Sequence, residues 1–165
     1  MTSVLQEAES LNLPDWMIGA GFLRNKVWDH LHGIKRVVAD AGDIDLIYFD
    51  AENQDEDHDR ALSAQMQSKL GLEWEIVNQA YTHKWHNRKD SYKNSTEALS
   101  EWVETPTCVA VTLKDDEPVI IAPHGIGDLV NLIVRPTPTA DTDTFNRRYT
   151  DKKWLEKWPK LKIVA

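Results

Sequence analysis

Cysteine is nearly absent: Cys108 is the single thiol in 165 residues, and one thiol closes no internal disulfide. A disulfide-stapled scaffold is excluded and a reducing compartment is predicted. Cys108 lies inside the apolar run TCVAVTL and reads as a small core residue rather than a nucleophile. No apolar run reaches membrane-spanning length, and neither a signal peptide nor a lipidation motif is present, so a cytoplasmic location without membrane attachment is expected. Positive charge is scarce. Lys and Arg number 19 against 27 Asp and Glu, a formal net charge of −8. General nucleic-acid binding is therefore not expected. A small phosphorylated ligand stays compatible, because a basic pocket can sit on an acidic protein. Internal repeats, low-complexity tracts, a P-loop and a nucleophile elbow are all missing.

What is there has the proportions of one ordinary domain spanning residues 1–165, with 41% apolar and 28% charged residues. SVLQEAESL carries apolar residues at helical spacing, with a Ser3–Gln6 capping box and Pro14 as its end. WMIGAG reads as a short buried strand running into a glycine turn, and FLRNKVWDHLHG as a helix stopped by Gly33. DIDLIYF is a buried central strand, DRALSAQMQSKL a helix closed by Gly71, and WEIVNQA a third strand. Asn94 and Glu97 cap the helix STEALSEW, while TCVAVTL and PVIIAP form an antiparallel hairpin. HGIGDLVNLIV predicts a short helix, and DTFNRRYTDKKWLEKW one final helix ended by Pro159. Early alternation of strands and helices followed by a hairpin gives an α/β (α+β) fold, a small mixed β-sheet flanked by helices.

Asp43 and Asp45 open the central strand. Residues two apart on a strand point to the same side, roughly 6.5–7 Å apart at Cα. Carboxylates so placed repel each other unless a cation or hydrogen-bond donors sit between them. They can converge on hard divalent ions such as those of phosphoryl-transfer sites. A solvated strand start is the simpler reading of an isolated Asp-X-Asp.

The turn IGAGF shifts the balance. Gly19 and Gly21 let backbone approach a ligand, and the helix that follows offers free N–H groups to phosphate. Arg24 sits in its first turn and can make forked phosphate contacts. Tight helix–sheet packing is the alternative for the glycines. Together the two features predict a division of labour. Gly19, Gly21, Arg24 and Asn25 bind the triphosphate of a nucleotide, and Asp43 and Asp45 hold Mg²⁺ (or Mn²⁺) at the reacting phosphorus. The reaction expected is nucleotidyl transfer, in which an acceptor hydroxyl attacks the α-phosphate and pyrophosphate leaves.

The stretches LPDWMIGAGFLRNKVWDHLHG, DIDLIYFD, WEIVNQA with HKWHN, ETPTCVAV, APHGIGDLVNLIVRPTP and KKWLEKWPKL resemble a bacterial family of predicted nucleotidyltransferases. That family is assigned to the DNA polymerase β-like nucleotidyltransferase superfamily, and the resemblance runs from about Leu13 to the C-terminus. It implies a polymerase β-like fold, Gly19 and Gly21 as the small-residue turn, Asp43 and Asp45 as the metal-binding pair, and a nucleoside triphosphate with a hydroxyl acceptor as substrates. The superfamily's third carboxylate lies on a neighbouring strand, here WEIVNQ. The family-typical position there is Asn78, an amide that cannot act as a base, while Glu75 lies on the opposite face. Asn78 is accordingly placed with the catalytic residues and His83 with the nucleotide-binding ones. An arginine expected before His83 is replaced by Tyr81 and Thr82, leaving Arg88 or Lys84 as substitutes. A catalytically inactive nucleotide- or partner-binding module that keeps the fold is the alternative, favoured by the missing third carboxylate.

Other clusters read as structural. His83 and His86 lack a third zinc ligand nearby, and the acidic run from Glu52 to Asp59 lacks calcium-loop spacing and reads as a solvated helix entry. Of seven tryptophans, Trp154 and Trp158 clamp the last helix to the body, and Trp85 packs or stacks on a base.

Overall fold

The computed structural model describes residues 2–35, 42–86 and 88–164, with Thr2 and His86 described by their backbone alone. Five strands form the main sheet: β1 (Met17–Ile18), β2 (Ile44–Tyr48), β3 (Trp74–Asn78), β4 (Ala110–Lys114) and β5 (Glu117–Ile121). Their order is β3-β2-β1-β4-β5. The β2–β3 pair is parallel and the other pairs are antiparallel, so the sheet is mixed, as expected. The parallel pair needs a crossover, and α3 (Glu56–Leu70) supplies it.

Alternation divides the sheet into two unlike faces. Ile18, Ile44, Leu46, Tyr48, Trp74, Ile76 and Val111 pack against α1 (Thr2–Glu9) through Val4, Leu5 and Ala8, against Phe22 of α2 (Gly21–His32), and against Met66 of α3. Among the described residues the opposite face buries a smaller set, Met17, Ile47 and Ala110, under Leu99 of α5 (Ser95–Ser100) and Cys108. That thin cover leaves room on this face for polar groups from β2 and β3. Burial pushes the Cys108 thiol up to about 12, so it stays protonated and serves as packing.

A third apolar cluster joins α2 to the C-terminal segment, and here the fold departs from expectation. The predicted final helix is two: α7 (Thr142–Asp151) and α8 (Trp154–Lys157), broken at Lys153 with φ 52°. Phe145 and Trp154 are nine positions apart, half a turn out of phase on a continuous helix. Both are nonetheless buried in the same cluster with Trp28 and Trp158. Breaking the helix lets both reach it. Trp154 and Trp158 meet Trp28 edge-on at centroid distances of 5.3 and 5.1 Å, and the Trp158 indole N–H donates to Asp29. Ahead of this segment come α6 (Gly127–Val130) and β6 (Ile133–Val134); β7 (Lys162–Ile163) returns to pair with β6 in a small parallel sheet that periodicity did not reveal.

Two caps behave as read: Asn94 accepts from the Glu97 amide, and Gly71 ends α3 in the left-handed region. Two calls shift. The first helix closes at Glu9, well before Pro14, and Ser3 lies within it rather than capping it. The acidic run is only partly solvated: Asp55 caps α3, but Asp59 is buried. No helix among the described residues is long and apolar enough to cross a membrane.

Candidate active site

β2 and β3 pair in register, Asp45 opposite Glu75. Ile44, Leu46, Trp74 and Ile76 point to the core, so Asp45 and Glu75 must point the other way, with Asp43 on the same side just ahead of β2. Carboxylate oxygens of Asp43, Asp45 and Glu75 lie within 4.8 Å of one another. None of the three forms an ion pair among the described residues. Burial, then Asp43, then Glu75 push the Asp45 carboxyl up to about 7, against the smaller opposing pull of Arg24 and Lys152. Three crowded carboxylates with a strained ionisation state form an oxygen-only donor set suited to a hard divalent cation, not to zinc.

The third carboxylate corrects the expectation for Asn78. Asn78 is fully buried on the opposite face. Its Oδ1 accepts from the amides of Asp50 and Ala80, and its Nδ2 donates to the carbonyls of Asp50 and Asn53. Its carboxamide caps α4 (Gln79–Thr82) and ties β3 to the loop after β2, away from the carboxylates. Strand parity carries the signal for Glu75: Trp74 and Ile76 claim the core side, which sends Glu75 to the side of Asp45.

The carboxylates sit in a cleft of about 1060 Å³. Ala20 and Gly21 of the glycine turn line one wall. Gly21 opens α2, whereas Gly19 is a packing position: a Cβ there would stand 2.9 Å from the Trp102 ring. Between them Ala20 holds φ 50° and ψ −125°, a conformation that costs an L-residue about 1–3 kcal/mol. Ala20→Gly is expected to raise stability by about 1 kcal/mol net of unfolded-chain entropy, moving the thermal midpoint up by roughly 2–4 °C. A lower midpoint in a melting experiment would show that the turn is unstrained.

Arg24 and Asn25 line the same wall, but Arg24 is only 5% exposed. Its Nε and one terminal nitrogen donate to Asn25 Oδ1, and the other terminal nitrogen donates to Thr107 at 2.7 Å. The guanidinium stacks 4.5 Å from the Trp154 ring centroid and 5.1 Å from Trp28. Burial lowers it to about 10, so it remains a fixed cation at neutral pH, favoured by Glu104. Glu104, fully buried, pairs with Arg148 at 2.7 Å. The wall behind the carboxylates is thus two guanidiniums to one carboxylate.

Further lining comes from residues that local motif reading missed. Arg148 and Lys152, at the end of α7, and Lys157, at the end of α8, line the cleft, and the two lysines are exposed. Their sequence signal was the basic run RRYTDKKWLEK, hidden by the reading of its tryptophans as a clamp. Arg88 also lines the cleft but is committed to Glu97 and Glu101, each at 2.7 Å. His83 is outside the cleft lining, its Nδ1 donating to the Ala80 carbonyl at 3.1 Å. Lys84, the other substitute, is exposed and likewise outside it.

A family model described as nucleotidyltransferase matches residues 6–163. No curated protein matches the chain. Among solved structures, one described by its authors as revealing a CCA-adding enzyme head domain superposes with TM-score 0.87 at 28% identity, covering 99% of this chain and 88% of that one. The Thermotoga maritima CCA-adding enzyme complexed with tRNA gives TM-score 0.59 at 17% identity, covering 99% of this chain and 38% of that one. A CCA-adding enzyme with ATP gives 0.58 at 16%, covering 99% and 39%. The last two likenesses show the fold, and this chain spans well under half the length of either enzyme.

Proposed function

This chain belongs to the nucleotidyltransferase family, and from that premise we propose that it is a Mg²⁺-dependent enzyme moving a nucleoside monophosphate from a nucleoside triphosphate to a hydroxyl acceptor. The observation that carries the reading is the convergence of Asp43, Asp45 and Glu75 at a cleft that Arg24, Arg148, Lys152 and Lys157 also line. In this reading Asp43, Asp45 and Glu75 hold the metal. A divalent ion held by these residues would supply positive charge against the negative charge developing on the α-phosphate and would lower the pKa of the attacking hydroxyl.

The chain's own residues do the remainder. The Ala20–Gly21 turn and the first amides of α2 face the phosphates, and Arg24 lends a fixed positive potential from behind Asn25. Lys152 and Lys157 draw the outer phosphates from the solvent side, and Arg148, paired with Glu104, lines the same cleft. The carboxylate rim accepts the proton of the attacking hydroxyl, and pyrophosphate departs toward the lysines. The non-catalytic alternative rested on a missing third carboxylate, and Glu75 removes that ground.

The direct test is pyrophosphate release from each triphosphate with Mg²⁺ and a cell extract supplying acceptors. Release abolished by EDTA and by Asp43→Asn is expected; release indifferent to both overturns the reading. Lys152→Ala combined with Lys157→Ala is expected to raise the triphosphate KM about tenfold at nearly constant kcat, because charge-assisted contacts to bound phosphate contribute to binding throughout the reaction. An unchanged KM would place the triphosphate elsewhere.

A further inference from the structure

A second, smaller chamber opens on the far side of the same carboxylates. It measures about 140 Å³ and is lined by Asp45 and Glu75 at its head, Val77 and Ile47 on its floor, and Gln79, Thr82, Trp85 and Trp102 around it. Asp45, Glu75 and Trp102 belong to both chambers, so a ligand in each would meet at the carboxylates.

The two chambers differ in charge. Arg24, Arg88, Arg148, Lys152 and Lys157 all face the large cleft. None of the described residues lining the small chamber is basic, and the charged groups among them are Asp45 and Glu75. With a metal on the two carboxylates, a phosphate entering it would still find no basic side chain among the described lining residues to hold it, on a protein of net charge −8. An uncharged or cationic molecule needs no such partner.

Its size and surface narrow the class further. The chamber is a small depression open to solvent on one side, which suits a compact ligand laid against the Trp85 indole. Trp85 is 56% exposed, an unusual state for so large an aromatic. It is not loose: the Tyr81 ring meets it at 5.5 Å and 63°. A fixed, exposed indole is a platform for the face of a ring or for an ammonium group. Gln79 supplies polar grip. One Nε2 hydrogen donates to the Val77 carbonyl and the other has no partner among the described residues, while Oε1 accepts from Thr82.

We propose that the small chamber is the acceptor subsite, and that the acceptor is a compact hydroxylated ring compound, uncharged or cationic, stacked on Trp85 with one hydroxyl directed at Asp45 and Glu75. This rests on the nucleotidyl-transfer reading of the large cleft. The acceptor oxygen forms a bond to the α-phosphorus. The bond from that phosphorus to the bridging oxygen breaks, its electron pair leaves on pyrophosphate, and the hydroxyl proton passes to the carboxylate rim and on to water. A phosphorylated sugar or the end of a nucleic acid is disfavoured because the described lining offers its phosphates no basic side chain.

The test uses three acceptor pools with Mg²⁺ and a mixture of the four ribonucleoside triphosphates. The first holds neutral sugars, amino sugars and cyclic polyols; the second holds sugar phosphates; the third is RNA with free 3′-hydroxyls. Pyrophosphate release is expected to rise at least tenfold over water with the first pool alone. Trp85→Ala is expected to raise the KM of the active acceptor about tenfold, with the triphosphate KM unchanged and Trp85→Phe restoring most of the loss. Stimulation by the second or third pool, by none of the three, or an acceptor KM indifferent to Trp85→Ala overturns the inference. Calorimetric titration with Mg²⁺ and triphosphate, on the wild type and on Asp43→Asn, separates the two failures. Mg²⁺-dependent binding lost in Asp43→Asn leaves the large cleft standing when the pools fail, and absent binding removes both.

Discussion

Asp45→Asn is expected to lower Mg²⁺-dependent pyrophosphate release by about 10³-fold or more and, in the same protein, to raise the stability of the metal-free fold at neutral pH. The first effect follows from removing one of three oxygen donors that converge within 4.8 Å. The second follows from what those donors do without a cation. Burial, Asp43 and Glu75 push the Asp45 carboxyl from its usual 3.8 up to about 7. Below about pH 4 the group carries its proton in both the folded and the unfolded chain, and folding is indifferent to it. Between about pH 4 and 7 the unfolded chain has released that proton and the folded chain still holds it. The folded state binds more protons there, so stability falls as pH rises through that window. Above about 7 the folded protein carries the full penalty. Asparagine has no proton to lose, and a bound divalent cation replaces the proton in the wild type. Thermal unfolding from pH 4 to 8 in EDTA should therefore show a decline in the wild type that Asp45→Asn lacks and that Mg²⁺ restores. Parallel pH profiles for the two proteins would mean that Asp45 is not held under electrostatic strain. A gain in stability coupled to loss of activity is the signature of a site built for a ligand rather than for the fold.

The largest effect on stability is expected far from the cleft, at Asp59. Its carboxylate is 3% exposed and accepts from the Tyr48 hydroxyl at 2.5 Å, the Tyr81 hydroxyl at 2.6 Å and the Asn78 amide at 2.6 Å. Burial, reinforced by the hydrogen bond to Asp59, pushes both tyrosine hydroxyls above their ordinary range, so they remain donors. Asp59→Ala leaves three buried donors without an acceptor, at about 1–3 kcal/mol each. A loss of about 4 kcal/mol is expected, a large share of the roughly 5–15 kcal/mol that holds a typical domain together. The measurement is the urea midpoint at constant m-value, and a shift worth under 1 kcal/mol would show that water replaces the carboxylate freely. Activity should fall in step with the folded fraction, because Asp59 fixes the end of β3 at Asn78, and β3 carries Glu75.

These two aspartates mark how far the sequence could be read. The strand at Asp43–Asp45, the glycine turn before α2, the hairpin of β4 and β5 and the caps at Asn94 and Gly71 were all legible, because each depends on neighbours a few residues away. Asp59 was not, since it looks like its solvated neighbours and differs only in the tyrosines that reach it from β2 and α4.

The same distinction runs through the site. Local alternation determined that Asp43 and Asp45 share a face, and parity along β3 already set Glu75 apart from Asn78. Only the parallel register of β3 on β2, fixed by how α3 packs across the sheet, decided that Glu75 stands opposite Asp45. Only the break at Lys153, which lets Phe145 and Trp154 bury together, decided that Lys152 and Lys157 both line the cleft. The physical reason is common to both: backbone periodicity is set within a turn or a pleat, whereas the distance between segments far apart in sequence is set by which apolar surfaces exclude water together.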